Sequence, residues 1–222
     1  MSFARAGINQ VVSPIAGLRD IGVSDSGNYF SAITPTPGTG VTGTTSVNTF
    51  VETTPTLVLY NAGPLNIYPT MLRTHLTVIG TNAGAVLDFW TFTMDNGNRY
   101  TSGGTQLTVV NENGLTTSKS GAFVAVGGIT ATANTPRRRI VANIQTKTDV
   151  IEVVHDTAVF SWGDTFGSSA NSLATNANAV AYNGYSLPPI VIAPNCSLVV
   201  VRWAVNQTTG STHEYFMSWY EK

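Results

Sequence analysis

From residue 47 to the C-terminus, short runs of β-branched and aromatic residues are cut by clusters of Gly, Pro, Asn and Asp. The cuts come at intervals of roughly 8–12 residues, the strand spacing of a sandwich or barrel. Residues 72–79 alternate with period two: Leu72, Thr74, Leu76 and Val78 fall on one face, Arg73, His75, Thr77 and Ile79 on the other. Residues 86–94 repeat the pattern with heavier side chains, setting Val86, Asp88, Trp90, Phe92 and Met94 against Leu87, Phe89, Thr91 and Thr93. Period two belongs to a strand, and no stretch shows the 3.6-residue apolar period of an amphipathic helix. Further strand-like runs cover 56–60, 106–110, 122–126, 138–145, 150–155, 158–162, 189–193, 197–205 and 214–221.

The connections carry their own signals. Asp95-Asn96-Gly97-Asn98 has the Asn-Gly pair of a tight hairpin, with Arg99-Tyr100 opening the return strand. Residues 207–211 join two long runs as a C-terminal hairpin, and Gly103-Gly104 and Gly127-Gly128 are expected in turns. Residues 163–178, small and polar, form a long surface loop. Mixed short and long connections favour a Greek-key double sheet over an up-and-down barrel. The expected fold is an all-β, jelly-roll-like β-sandwich over residues 47–222 with an extended N-terminal arm over residues 1–46.

In that arm no strand or helix period holds. Phe3, Ile8, Val11, Val12, Ile15 and Leu18 are scattered among Gly, Pro, Ser and Asn, and residues 33–45 read as a Pro/Gly/Thr linker. A coreless segment with apolar anchors gains order by docking on another surface. No continuous apolar stretch has signal-peptide or membrane-spanning length, so the expectation is a soluble product without a membrane partner.

Composition narrows the function. Only 10% of residues are charged, with 11 basic and 12 acidic side chains and a net charge of -1, so no cationic surplus exists to neutralise a run of phosphates. Nucleic acid is therefore not an expected partner. The lone Cys196 rules out an intrachain disulfide framework or a cysteine-cluster zinc site. A surface wetted by hydroxyls and amides suits a component packed against copies of itself, because burying it desolvates few ions.

Catalytic constellations are weak. His155, Asp156, Ser161 and Asp164 name the parts of a hydrolase, but adjacent strand residues point to opposite faces and no Gly-x-Ser-x-Gly element is present. His75 and His213 lack partners at ligand spacing apart from Glu214, and the 95–98 loop lacks the acidic twelfth position of an EF-hand. Glycosidase carboxylates would have to come from distant positions such as Asp88, Glu112 and Glu152. No catalytic residue, metal ligand or cofactor is nominated, and no enzymatic activity is expected. Arg137-Arg138-Arg139 is the one dense basic run and is expected to form ion pairs between subunits. Trp90, Trp203 and Trp219 sit in apolar alternations and are expected in the core, although a sugar-stacking face remains open.

Residues 187–201, Leu-Pro-Pro-Ile-Val-Ile-Ala-Pro-Asn-Cys-Ser-Leu-Val-Val-Val, and the ending Tyr215-Phe216-Met217-Ser218-Trp219-Tyr220-Glu221 resemble the C-termini of tailed-bacteriophage virion structural proteins. With the Thr/Asn/Gly-rich composition and the arm, the chain is similar to head decoration, or cement, proteins of jelly-roll type. That resemblance implies a homotrimer on the virion capsid surface, made in the host cytoplasm, with the major capsid protein as partner. Two other functions fit the same residues: a tail-associated or receptor-binding phage protein, and a carbohydrate-binding β-sandwich module.

Overall fold

A computed structural model describes residues 26–43, 48–114, 117–150, 152–163 and 182–222. Thirteen strands are present among them: β1 (Tyr29–Ile33), β2 (Val41–Thr42), β3 (Leu57–Asn61), β4 (Ile67–Val78), β5 (Asn82–Asp95), β6 (Tyr100–Gln106), β7 (Thr108–Asn111), β8 (Ala122–Ala131), β9 (Arg139–Val150), β10 (Thr157–Trp162), β11 (Tyr182–Leu187), β12 (Ser197–Gln207) and β13 (Thr212–Glu221). No helix occurs in the described residues, and so none long and apolar enough to cross a membrane.

The strands form two sheets. Sheet A runs β11-β10-β4-β13-β1-β7, with β2 also on β13; sheet B runs β6-β8-β3-β12-β5-β9. Four consecutive strands of each, β10-β4-β13-β1 and β3-β12-β5-β9, make a jelly roll. In chain order β1, β3, β4, β5, β9, β10, β12 and β13 switch sheet at every step except β5 to β9. The inserted β6, β7 and β8 widen both sheets on one side, and β11 adds in parallel to β10.

Period two supplies the core. Val86, Asp88, Trp90, Phe92 and Met94 of β5 are all buried, as their alternation requires. Trp90, Phe92 and Met94 share one core with Leu57 and Leu59 of β3, Leu198 and Val200 of β12, and, across the sandwich, Leu72, Phe160, Tyr215, Met217 and Trp219 of sheet A. The out-of-phase residues Val58, Ala125, Ile129, Val199 and Val201 form a second cluster on the opposite side of sheet B, packed with Phe50, Tyr60, Tyr100, Phe123 and Trp203. Residues 48–56 therefore cover part of that face.

Several expectations change. Residues 29–33, assigned to the arm, are a strand between β13 and β7, with Phe30, Ser31 and Ala32 buried. Their apolar content is too small to show a period, and only the two flanking strands reveal them. The 95–98 loop is no tight hairpin: β6 leaves β5 and pairs with β8, and Gly97 is not left-handed. Nor do the last two long strands pair, since β12 sits between β3 and β5 while β13 sits between β1 and β4. Each is apolar enough to need two neighbours, so their connection spans the sandwich, with Asn206 left-handed at φ 66°. Residues 152–156 form a turn, and residues 189–193 contribute one isolated bridge, Ile67 to Ile192. Gly103, Gly104 and Gly127 take positive φ within β6 and β8, where the register slips between them, as bulges do.

Candidate functional site

The inward positions of β12 are Leu198, Val200, Arg202 and Ala204, which places one guanidinium in the core. Arg202 Nε lies 2.9 Å from Asp88 Oδ1 on β5, and its Nη2 pairs with Glu152 from the β9–β10 turn. Arg202 Nη1 donates to Gln207 Oε1 at 3.1 Å. Glu152 Oε2 accepts from Gln207 Nε2 and Ser211 Oγ, both at 2.8 Å. One buried carboxylate thus ties together the β9–β10 and β12–β13 turns.

Burial dominates the electrostatics. It pushes Asp88 above the ordinary carboxylate range even beside Arg202, and pushes Tyr185 up to about 12 with the Asp88 charge adding to it. Burial also holds His213 well below its usual value, with the Arg202 charge acting in the same direction. Burial lowers Arg202, but the charges of Asp88 and Glu152 more than restore it.

The space beside this cluster, lined by Asp88, Trp90, Lys147, Glu152, Asp156 and His213, has a volume of about 30 Å³. That is room for about one water, against several hundred cubic ångströms for a small-ligand site. Asp88 and Glu152 do come together, but on a shared arginine, while Glu112 is elsewhere, accepting from Ser31 Oγ. The cluster works as a clamp on the end turns, and a sugar ring does not fit.

The arginine run divides. Arg138 Nε is 2.7 Å from Glu52 Oε1, an ion pair inside the chain. Glu52 belongs to the segment covering sheet B. Buried Arg99 anchors the same segment, paired with Asp95 at 3.0 Å and donating to the carbonyls of Thr132 and Glu52. Burial raises Asp95, but hydrogen bonds from Thr135, Asn96 and Arg99 outweigh it and hold the carboxyl below its ordinary value. Arg137 and Arg139 remain exposed. The arm anchors Phe3, Ile8, Val11, Val12, Ile15 and Leu18 lie outside the described residues, as does Asp164.

The hydrolase parts stay apart. His155 sits in the β9–β10 turn at φ 76°, Asp156 pairs with Lys147, and Ser161 is in register with Met71, four strand positions or about 13 Å from the His75–Thr157 pair. The structure instead joins two histidines 80 positions apart: His155 Nδ1 lies 3.3 Å from His75 Nε2 and the rings stack. No local pattern announces that pair. Arg202 is equally hidden in the sequence, since both faces of its strand are apolar, Leu198, Val200 and Ala204 on one and Val199, Val201, Trp203 and Val205 on the other.

The outer surfaces complete the inventory. Glu52, Asp88, Asp95, Glu112, Glu152, Asp156, Glu214 and Glu221, every carboxylate whose side chain is described, are engaged inside the chain. Arg73, Lys119, Arg137, Arg139 and Lys222 have no carboxylate at ion-pair distance among the described residues. The outer face of sheet A is hydroxyl-rich: Tyr68 stacks on Tyr220 at 4.7 Å, and Tyr29, Thr70 and Ser218 share hydrogen bonds of 2.8–3.2 Å. On sheet B, Phe89 stacks on the half-buried Trp203 at 4.2 Å, while Trp90, Trp162 and Trp219 are in the core. Comparison with protein-family models and with curated proteins finds no match for this chain.

Proposed function

We propose that this protein is a virion structural protein: a capsid decoration protein of a tailed bacteriophage that trimerises, seats on the major capsid protein and grips it with its N-terminal arm. One observation carries the reading. The carboxylates whose side chains are described are each engaged by a group of the same chain, so the outer faces present hydroxyls, amides and aromatic rings with few ions. Covering such faces by neighbours carries little of the several kcal/mol per ion, roughly, that burying an unpaired charge costs. Arg137 and Arg139 are two of the five described cations with no carboxylate at ion-pair distance and suit acidic groups on a neighbour, and the anchors Phe3, Ile8, Val11, Val12, Ile15 and Leu18 suit an arm that orders on contact.

The test has two parts. Mass photometry of the full chain is expected to give a trimer, and purified heads lacking decoration are expected to take it up. A chain beginning at Ser26, which spares β1, is expected to fold and attach weakly. A monomer that ignores the heads overturns the proposal; equal attachment of the shortened chain removes the arm's role.

A second reading, a tail-associated receptor-binding or carbohydrate-binding protein, is favoured by the partly exposed Phe89–Trp203 and Tyr68–Tyr220 stacks. Selective binding on a glycan array, lost on Trp203→Ala, would decide for it.

A further inference from the structure

We infer that His75 and His155 form a site for a borderline divalent transition-metal ion of the Zn²⁺ class. Two Zn–N bonds of about 2.0–2.1 Å at a tetrahedral angle place their nitrogens roughly 3.3 Å apart. His155 Nδ1 and His75 Nε2 stand 3.3 Å apart before any ion is bound.

On His75 the proton is placed to suit. Thr157 Oγ1 donates to the carbonyl oxygen of His155 at 3.3 Å, so a lone pair of that hydroxyl is what His75 Nδ1 meets at 3.1 Å. With the hydroxyl proton on that carbonyl, His75 carries its own proton on Nδ1 and accepts at Nε2 from His155 Nδ1–H, a proton that a bound ion displaces to His155 Nε2. A ligand histidine whose other nitrogen donates to a fixed acceptor is the usual arrangement around a bound metal, since it sets the tautomer and the ring orientation. His155 reaches this position from a left-handed backbone, φ 76°, that a non-glycine residue adopts at a cost.

The surroundings permit entry. His155 is exposed and His75 half-buried, and the nearby Lys147 charge is neutralised by Asp156. No third His, Cys, Asp or Glu joins them among the described residues, so the remaining coordination positions fall to water or to a neighbouring molecule. Imidazole donors select Zn²⁺, Ni²⁺ or Cu²⁺ over Mg²⁺. An ion held here would staple the β9–β10 turn to β4.

The experiment titrates the untagged full chain with ZnCl₂ and, in parallel, with MgCl₂, by calorimetry. One saturable Zn²⁺ per chain and no Mg²⁺ uptake are expected, with a Zn²⁺-dependent rise in thermal midpoint. His75→Asn and His155→Asn should each weaken binding at least tenfold; Asn tolerates the left-handed backbone at position 155. Thr157→Val, which leaves both ligands in place, should weaken it roughly 10–100-fold. Imidazole NMR of the unmodified chain supplies a readout independent of variant folding: Zn²⁺ should move the His75 and His155 resonances and leave buried His213 unmoved. Absence of saturable Zn²⁺ uptake, uptake unaffected by His155→Asn, or a response at His213 alone would overturn the assignment.

Discussion

Replacing Arg202 with Met removes the one cation between two buried carboxylates. The side chains of Arg202, Asp88 and Glu152 are 5%, 5% and 1% exposed, so water does not take over the charge. Removing one partner of a buried ion pair costs about 3–5 kcal/mol, because the charge left behind is uncompensated. In a domain of this size each kcal/mol moves the midpoint by about 2–4 °C, so Arg202→Met should lower it by roughly 6–20 °C. The signature is in the pH dependence. Asp88 already sits above the ordinary carboxylate range, raised by burial against the opposing Arg202 charge, and without Arg202 it rises further. A carboxyl raised in the folded state destabilises fully above that pKa and recovers as pH falls through it, so the deficit should shrink from pH 8 to pH 5. The triple variant Arg202→Met, Asp88→Asn, Glu152→Gln keeps the shapes and removes the charge, and should recover most of the loss. Calorimetric scans across pH measure all of this. A drop under about 3 °C, near 1 kcal/mol, or a deficit indifferent to pH, would refute the idea that Arg202 compensates buried charge.

Other consequences are quickly tested. His213 is held well below its usual pKa, so the unfolded chain binds the extra proton first; stability should fall as pH drops below about 6.5, by up to about 1.4 kcal/mol per unit, and His213→Leu should flatten that slope in urea titrations. Asp95 is lowered, so its stabilising share is present above about 3.8 and lost as pH falls through its folded-state pKa; Asp95→Asn should reduce the acid sensitivity of the urea midpoint below pH 4. Phe30→Ala, in buried β1 between β13 and β7, should cost about 3–5 kcal/mol by denaturant unfolding, whereas Arg137→Ala with Arg139→Ala should change monomer stability by less than about 0.5 kcal/mol while weakening assembly. Glu52→Gln should cost about 1 kcal/mol or less, because Arg138 is partly exposed, yet speed proteolysis within residues 48–56.

By itself the sequence determined the class of structure and the sidedness of its best strands. Val86, Asp88, Trp90, Phe92 and Met94 had to share a face because successive side chains in extended L-peptide point to opposite sides, and the apolar members had to leave water. The inward turn of Arg202 was not among these, because both faces of its strand are apolar and only Asp88 and Glu152 draw the guanidinium inside. Which strands become neighbours is a different question. The Gln207–Ser211 connection looks like a hairpin turn, and only competition for two partners per strand sends β12 and β13 into opposite sheets. β1 holds its place through Phe30 and Ala32, too few to form a period, and is fixed by β13 and β7, both distant along the chain. The same long-range placement sets Arg138 on Glu52 and His75 on His155. Local stereochemistry writes a side-chain period into each segment, whereas pairing is decided by the shared burial of segments the chain holds far apart.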